Sequence, residues 1–192
     1  YFPTLHNEYV IDTMMEDEEK YTPPEKTSKK YEASYRGLTK LSSLPHTHPA
    51  KKYIVSRGIP SETHFRIFYC DKYKQFVNGC IPNKLSENYP EESRLVFPML
   101  DRKKRMVGFN ARVLPKSKNE LRYMTIMLDF EAPKIFGIDK VKFDKKYYVV
   151  EGPIDSLFLK NSIAMVGADL NFSTLEKLEN AVFVFDNEPR NK

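Results

Sequence analysis

Two cysteines, Cys70 and Cys80, and four histidines are all the sequence offers in soft metal ligands. None of them falls at zinc-finger spacing, so the chain cannot build a zinc site from its own residues. A single disulfide and two buried thiols both fit the cysteine pair. Thiols in a reducing compartment are expected, because two cysteines make no disulfide framework. No apolar run approaches the ~20 residues that a membrane span needs. The start lacks the basic n-region and apolar core of a signal peptide, and it lacks an initiator Met, as expected of a piece trimmed from a longer product. Internal repeats and low-complexity tracts are missing too. What remains is 192 residues, 41% hydrophobic and 30% charged. That suffices to bury a core in one or two small domains of a soluble chain.

The net charge of +5 is unevenly placed. Residues 1–19 hold six acids and no Lys or Arg, whereas residues 94–122 hold nine Lys/Arg against two acids. Thr22-Pro-Pro-Glu-Lys-Thr-Ser-Lys-Lys30 is Pro-rich, charged and aperiodic. Residues 1–40 therefore read as a solvated arm or linker. The basic strip suits a polyanionic partner.

The most informative stretch is Tyr147 to Glu188. Three short β-branched and aromatic runs, Tyr147–Val150, Ile163–Val166 and Ala181–Phe185, alternate with two helical patterns. Such alternation predicts a parallel βαβαβ sheet. Pro153 opens the first helix, with Leu157, Phe158 and Ile154 toward the sheet. Ser173 and Glu176 form a capping box for the second, with Leu175 and Leu178 inward. Two of the three runs end in carboxylates, Glu151 and the pair Asp186/Glu188. Ligands of open parallel sheets bind beyond the carboxyl ends of the strands. A single acid past a strand is most simply a helix cap or a solvated residue. Glu-x₃-Asp after one strand and Asp-x-Glu after another point to Mg²⁺, a hard cation that needs few protein ligands.

Upstream, Thr47 or His48 caps a helix with Pro49 in its first turn, and Gly58 stops it after Arg57. A shorter helix follows from Ser61 to Phe65. Arg57 at a helix C-terminus compensates the dipole in the simplest reading. Residues 94–100 and 106–114 form two strands joined by the polar loop 101–105, and 121–126 forms a third. Val107, Phe109, Ala111 and Val113 are expected on one face of the second strand, Asn110 and Arg112 on the other. A solvated face accounts for any one cation here. Arg112 and Arg122 on neighbouring strands favour a phosphate surface.

Residues 147–188 resemble a toprim domain, the metal-binding module shared by bacterial-type primases and topoisomerases. Val149-Val-Glu-Gly-Pro-Ile-Asp-Ser-Leu-Phe158 and Phe185-Asp-Asn-Glu-Pro-Arg190 are similar to the primases of T4-like bacteriophages. Glu188 stands where most toprim proteins have Asp. The resemblance extends upstream through His48-Pro-x-x-x-Tyr-x-x-x-Arg57-Gly-Ile-Pro60, Gly108-Phe-Asn-Ala-Arg112, Arg122-Tyr123 and Lys134-Ile-Phe-Gly137, covering about residues 40–192. Arg122 stands where many relatives have Lys, which keeps the charge and changes its geometry.

The resemblance implies a mixed α+β and α/β fold: an arm over 1–40, a basic subdomain over 41–145, and a truncated toprim sheet over 146–192. It implies joining of ribonucleoside triphosphates into short RNA primers on a single-stranded DNA template. Glu151, Asp186 and Glu188 would be catalytic and would hold Mg²⁺, or Mn²⁺ in its place, with Asp155 as a further ligand or an orienting residue. Arg57, Arg94, Arg112, Arg122 and Lys134 would hold template and triphosphate. Zinc would belong only to a module not found in this sequence. A replicative helicase is the expected partner, no membrane is involved, and the setting is the cytoplasm of an infected bacterial cell. Other toprim enzymes, a nuclease or topoisomerase, are alternatives, as is a non-catalytic DNA-binding fragment. The piece as it stands is expected to keep an α/β core, bind single strands weakly and make little primer.

Overall fold

A computed structural model describes residues 30–32, 34–115, 121–167 and 175–185. Among the described residues nine strands form two sheets. The first is an antiparallel meander of β1 (Leu38–Lys40), β2 (Phe68–Cys70), β3 (Arg94–Leu100), β4 (Met106–Val113) and β5 (Tyr123–Met127), hydrogen-bonded in that order. The second contains β6 (Ile135–Phe136), β7 (Tyr147–Val150), β8 (Ser162–Met165) and β9 (Ala181–Val184) in the order β6-β8-β7-β9. β7 lies parallel to both β8 and β9, as the alternating pattern requires, and β6 adds an antiparallel edge.

Helix α1 (Pro49–Ser56) begins where Pro49 presets φ, and Nδ1 of His48 accepts from the Ala50 amide at 3.1 Å. It ends at Gly58, whose φ of +72° is costly for a side chain. A 3₁₀ turn, Ser61–Arg66, leads into β2. The expected hairpin between β3 and β4 is present, its loop tied by the Asp101 carboxylate, which accepts from the amides of Lys103 and Arg105. In the second sheet α3 (Pro153–Ser156) is a single turn.

Three details differ from expectation. The register of β3 on β4 slips between Met99 and Leu100, leaving Val107 as the extra residue of a β-bulge. Val107 therefore joins the opposite core cluster from Phe109 and Ala111. Phe158 is 48% exposed, because α3 ends after one turn and only Ile154 and Leu157 reach the sheet. Leu178 is 44% exposed on a 3₁₀ turn, Leu178–Asn180, whereas Leu175 is buried as expected. Ser173 of the proposed capping box lies outside the described residues.

Helix α2 (Tyr73–Cys80) packs on one face of the antiparallel sheet, where Tyr73, Phe76 and Val77 meet Phe109 and Ala111. The opposite face shares a single apolar cluster with the parallel sheet. Leu95, Phe97 and Met99 belong to it together with Ile54 of α1, Val150 and Ala164 of the second sheet, and Ile154 of α3.

Cys70 and Cys80 are free and buried. Burial pushes the Cys70 thiol up to about 12 and raises that of Cys80 as well. Neither is a thiolate at neutral pH, and only the thiolate reacts. Labelling with a disulfide reagent at pH 7 should therefore show no fast phase and should follow global unfolding. A rapid reaction of even one equivalent in the native chain would contradict this packing.

Candidate catalytic rim and nucleic-acid interface

The register of the parallel sheet defines one rim. Val150, the last residue of β7, stands opposite Ala164 on β8 and Val184 on β9. Glu151 follows directly and is exposed between the two neighbouring strand ends. Because β6 runs the other way, Lys134 at its start arrives at this same rim. Its carbonyl accepts from the Val166 amide at 2.8 Å, and its side chain extends exposed beside Gly167. Asp155, on α3, folds back toward Glu151-Gly152. A Cβ on Gly152 would come within 2.6 Å of Asp155 Oδ2. The carboxylate of Asp155 thus fills the space a side chain at Gly152 would take, and a residue with a Cβ there would have to push it aside.

Asp186 and Glu188 lie outside the described residues. The strand leading to them runs level with β7, its last residue Val184 paired with Val150, and Phe185 beyond it is exposed. Among the described residues no three His, Cys, Asp or Glu side chains converge on one point.

A second cluster lies on the face of the antiparallel sheet that α1 covers. Arg112 stands opposite Leu95 on β3 and Tyr123 on β5. Its guanidinium carbon is 5.6 Å from the centre of the Tyr53 ring and 4.7 Å from that of Tyr123. Its Nε is buried without a hydrogen-bond partner. Burial is the main influence lowering the Arg112 pKa, opposed by Tyr53, with Arg57 and then Arg122 lowering it further. Arg57 also approaches Tyr53, with its Nη1 donating to the hydroxyl at 3.5 Å. Arg57 and Arg112 thus share Tyr53, Arg112 also covers Tyr123, and Arg57 and Arg122 are exposed.

Arg94 departs from expectation. It is 0% exposed, and its guanidinium is spent inside the protein. It pairs with Glu92 at 2.7 Å and donates to the Leu121 carbonyl at 2.9 Å and the Tyr89 hydroxyl at 3.1 Å. In this arrangement it braces the sheet from inside and presents no exposed edge to a template. The polar residue beside Arg112 on this face, Asn110, is buried too and donates to Thr125 Oγ1 at 3.0 Å. Tyr53 and Tyr123 were not among the sequence candidates. Their signal was available, since Tyr53 sits one helical turn before Arg57 and Tyr123 follows Arg122.

The fold and these two clusters define a class: the chain has the fold of the RNA polymerase core of bacterial-type primases. It is similar to the zinc-binding and RNA polymerase domains of the Aquifex aeolicus primase at a TM-score of 0.55 and 20% identity, over 73% of this chain and 43% of that one. It is also similar to a DnaG primase catalytic domain bound to single-stranded DNA at a TM-score of 0.52 and 19% identity, over 80% of this chain and 55% of that one. In sequence the chain is related to the DNA primase of Enterobacteria phage T4, with 33% identity over 194 residues. The match takes in 98% of this chain and 56% of the T4 protein, so the chain spans little more than half the length of that relative. No family model matches. No helix among the described residues is long and apolar enough to cross a membrane.

Proposed function

We propose that the chain is the catalytic core of a DNA primase, which joins ribonucleoside triphosphates into a short RNA primer on single-stranded DNA. The observation that carries this reading is the placement of Glu151, Asp155 and Lys134 at one sheet rim, over the same apolar cluster that supports the arginines around Tyr53 and Tyr123. A nucleotidyl transfer needs both parts. One holds the polyanion, and the other neutralises charge at the reacting phosphate.

The donor set at the rim fits a hard divalent cation, since it consists of carboxylates only and Asp155 lies against Gly152, directly after Glu151. Glu151, Asp155, Asp186 and Glu188 would hold Mg²⁺, with Mn²⁺ able to replace it. The cation would supply charge stabilisation at the transferred phosphoryl group. Lys134 reaches the rim from β6 and would meet the triphosphate. Arg57 and Arg122 offer free edges to the template backbone, while Arg112, held between two rings, sets the surface on which bases and phosphates rest. The basic subdomain 41–145 then acts as the grip and 146–192 as the catalytic part, with residues 1–40 as an arm. A replicative helicase would be its partner in the infected bacterial cell.

Primer formation from labelled ribonucleotides on single-stranded DNA in Mg²⁺ tests the reading. Cleaved DNA in place of extended RNA would transfer the rim to a nuclease. The grip is tested separately by salt dependence. Arg57→Ala and Arg122→Ala should each reduce the log–log salt slope of single-strand binding by roughly 0.7 per lost phosphate contact. If both slopes equal that of the wild type, the arginines belong to a solvated face.

A further inference from the structure

The end of the parallel sheet opposite Glu151 carries a second surface that primer synthesis leaves unused. β6 is antiparallel to β8, so Phe136 and Gly137 leave the sheet at the rim away from Glu151. A cavity of about 640 Å³ opens there between β6, the turn Ser61–Arg66 and the first strands of the antiparallel sheet. That volume is in the range of small-ligand sites. Two of its rings remain open to solvent, Phe65 at 49% and Tyr35 at 43% exposure. Four cations line it, Lys40, Arg66, Lys104 and Lys140, against one carboxylate, Asp139.

The cations are arranged on the rings. Nζ of Lys140 lies 4.0 Å from the centre of Phe65, and the guanidinium carbon of Arg66 lies 4.4 Å from that of Phe136. They also repel one another. Burial lowers the pKa of Lys140, Arg66 lowers it further, and Lys104 adds to this against the opposing pull of Asp139. Burial likewise lowers that of Arg66. Like charges crowded in a partly desolvated cavity are relieved by an anion. A bare anion would leave the exposed parts of the Phe65 and Tyr35 rings unused. A planar group with a phosphate attached uses both.

We propose that this cavity binds a phosphorylated nucleobase, with the base stacked on Phe65 and Tyr35 and the phosphate held by Arg66, Lys104 and Lys140. The site stands on its own geometry and rests on the primase reading only for the source of the ligand, either one unit of a DNA or RNA strand or a free nucleotide. Stacking of this kind accepts any base.

The test uses the 192-residue chain and two probes, a fluorescent oligodeoxythymidylate and a fluorescent ATP analogue. Binding is measured in EDTA, which removes metal-dependent binding at the Glu151 rim. Phe65→Ala should weaken binding of a probe that occupies the cavity at least about fivefold. Phe65→Tyr should restore it, and Lys140→Glu should weaken it and reduce its salt slope. Loss for the oligonucleotide alone assigns the site to a strand. Loss for the ATP analogue assigns it to the free nucleotide. Both side chains are exposed, so the variants keep the fold, and matching circular dichroism melts check this. Wild-type affinity of Phe65→Ala and Lys140→Glu for both probes would overturn the proposal. Glu151→Gln tests primer synthesis and the cavity variants test probe binding in EDTA, so the two proposals fail independently.

Discussion

In a form of the protein that makes primer, Glu151→Gln is expected to remove that synthesis while leaving the fold intact. The amide keeps the shape of the side chain and loses the charge that a divalent cation requires. Glu151 is exposed beyond β7, and the isosteric amide preserves its volume there. A cation's stabilisation of transition-state charge is worth several kcal/mol, which corresponds to a rate loss on the order of a thousandfold. The assay is primer yield from labelled ribonucleotides, read beside a thermal melt. Synthesis near the wild-type rate would remove Glu151 from the catalytic set. Lost synthesis with a collapsed melt would make it a structural residue.

Arg94→Ala is expected to be the most destabilising single change outside the apolar core. Arg94 is fully buried, and the substitution removes the cation paired with Glu92, which keeps the Tyr89 hydroxyl as a donor, while the Leu121 carbonyl and Tyr89 hydroxyl lose a donor. Removing one member of a buried pair costs about 3–5 kcal/mol, because the remaining charge stays desolvated. In a domain of this size the melting temperature should fall on the order of 10 °C. The double change Arg94→Met with Glu92→Gln should recover part of the loss, since it removes the stranded charge. A melt within a degree or two of wild type for Arg94→Ala would show that solvent reaches Glu92.

The parallel sheet and the β3–β4 hairpin were legible because their signals are local. β7, β8 and β9 are continuous apolar runs with helix openers between them, and the hairpin is two runs around a charged loop. β1 and β2, at three residues each, are too short to show alternation. Helix α2 did carry Tyr73, Phe76, Val77 and Cys80 at helical spacing. Its N-cap, Lys72, makes no side-chain cap bond, so no start signal marks it. Val107 was misplaced because a bulge depends on the register of two strands and leaves no trace in one of them. At the site, the rim could be read from strand order alone. The commitment of Arg94 could not, because its partners at positions 89, 111 and 121 come from other segments of the sheet and its approaches. A buried arginine and a DNA-binding arginine look the same in a sequence until the neighbouring strands are known.

The apolar cluster containing Ile54, Phe97, Val150 and Ala164 does not stop at the border between the antiparallel and parallel sheets. That border divides the topology without dividing the stability. Heating or denaturant should therefore meet one cooperative unit, and a lesion under the arginines should be felt at the carboxylates. Evolution in such a chain cannot trade the two halves separately, because a replacement part would have to arrive with its share of the common interior.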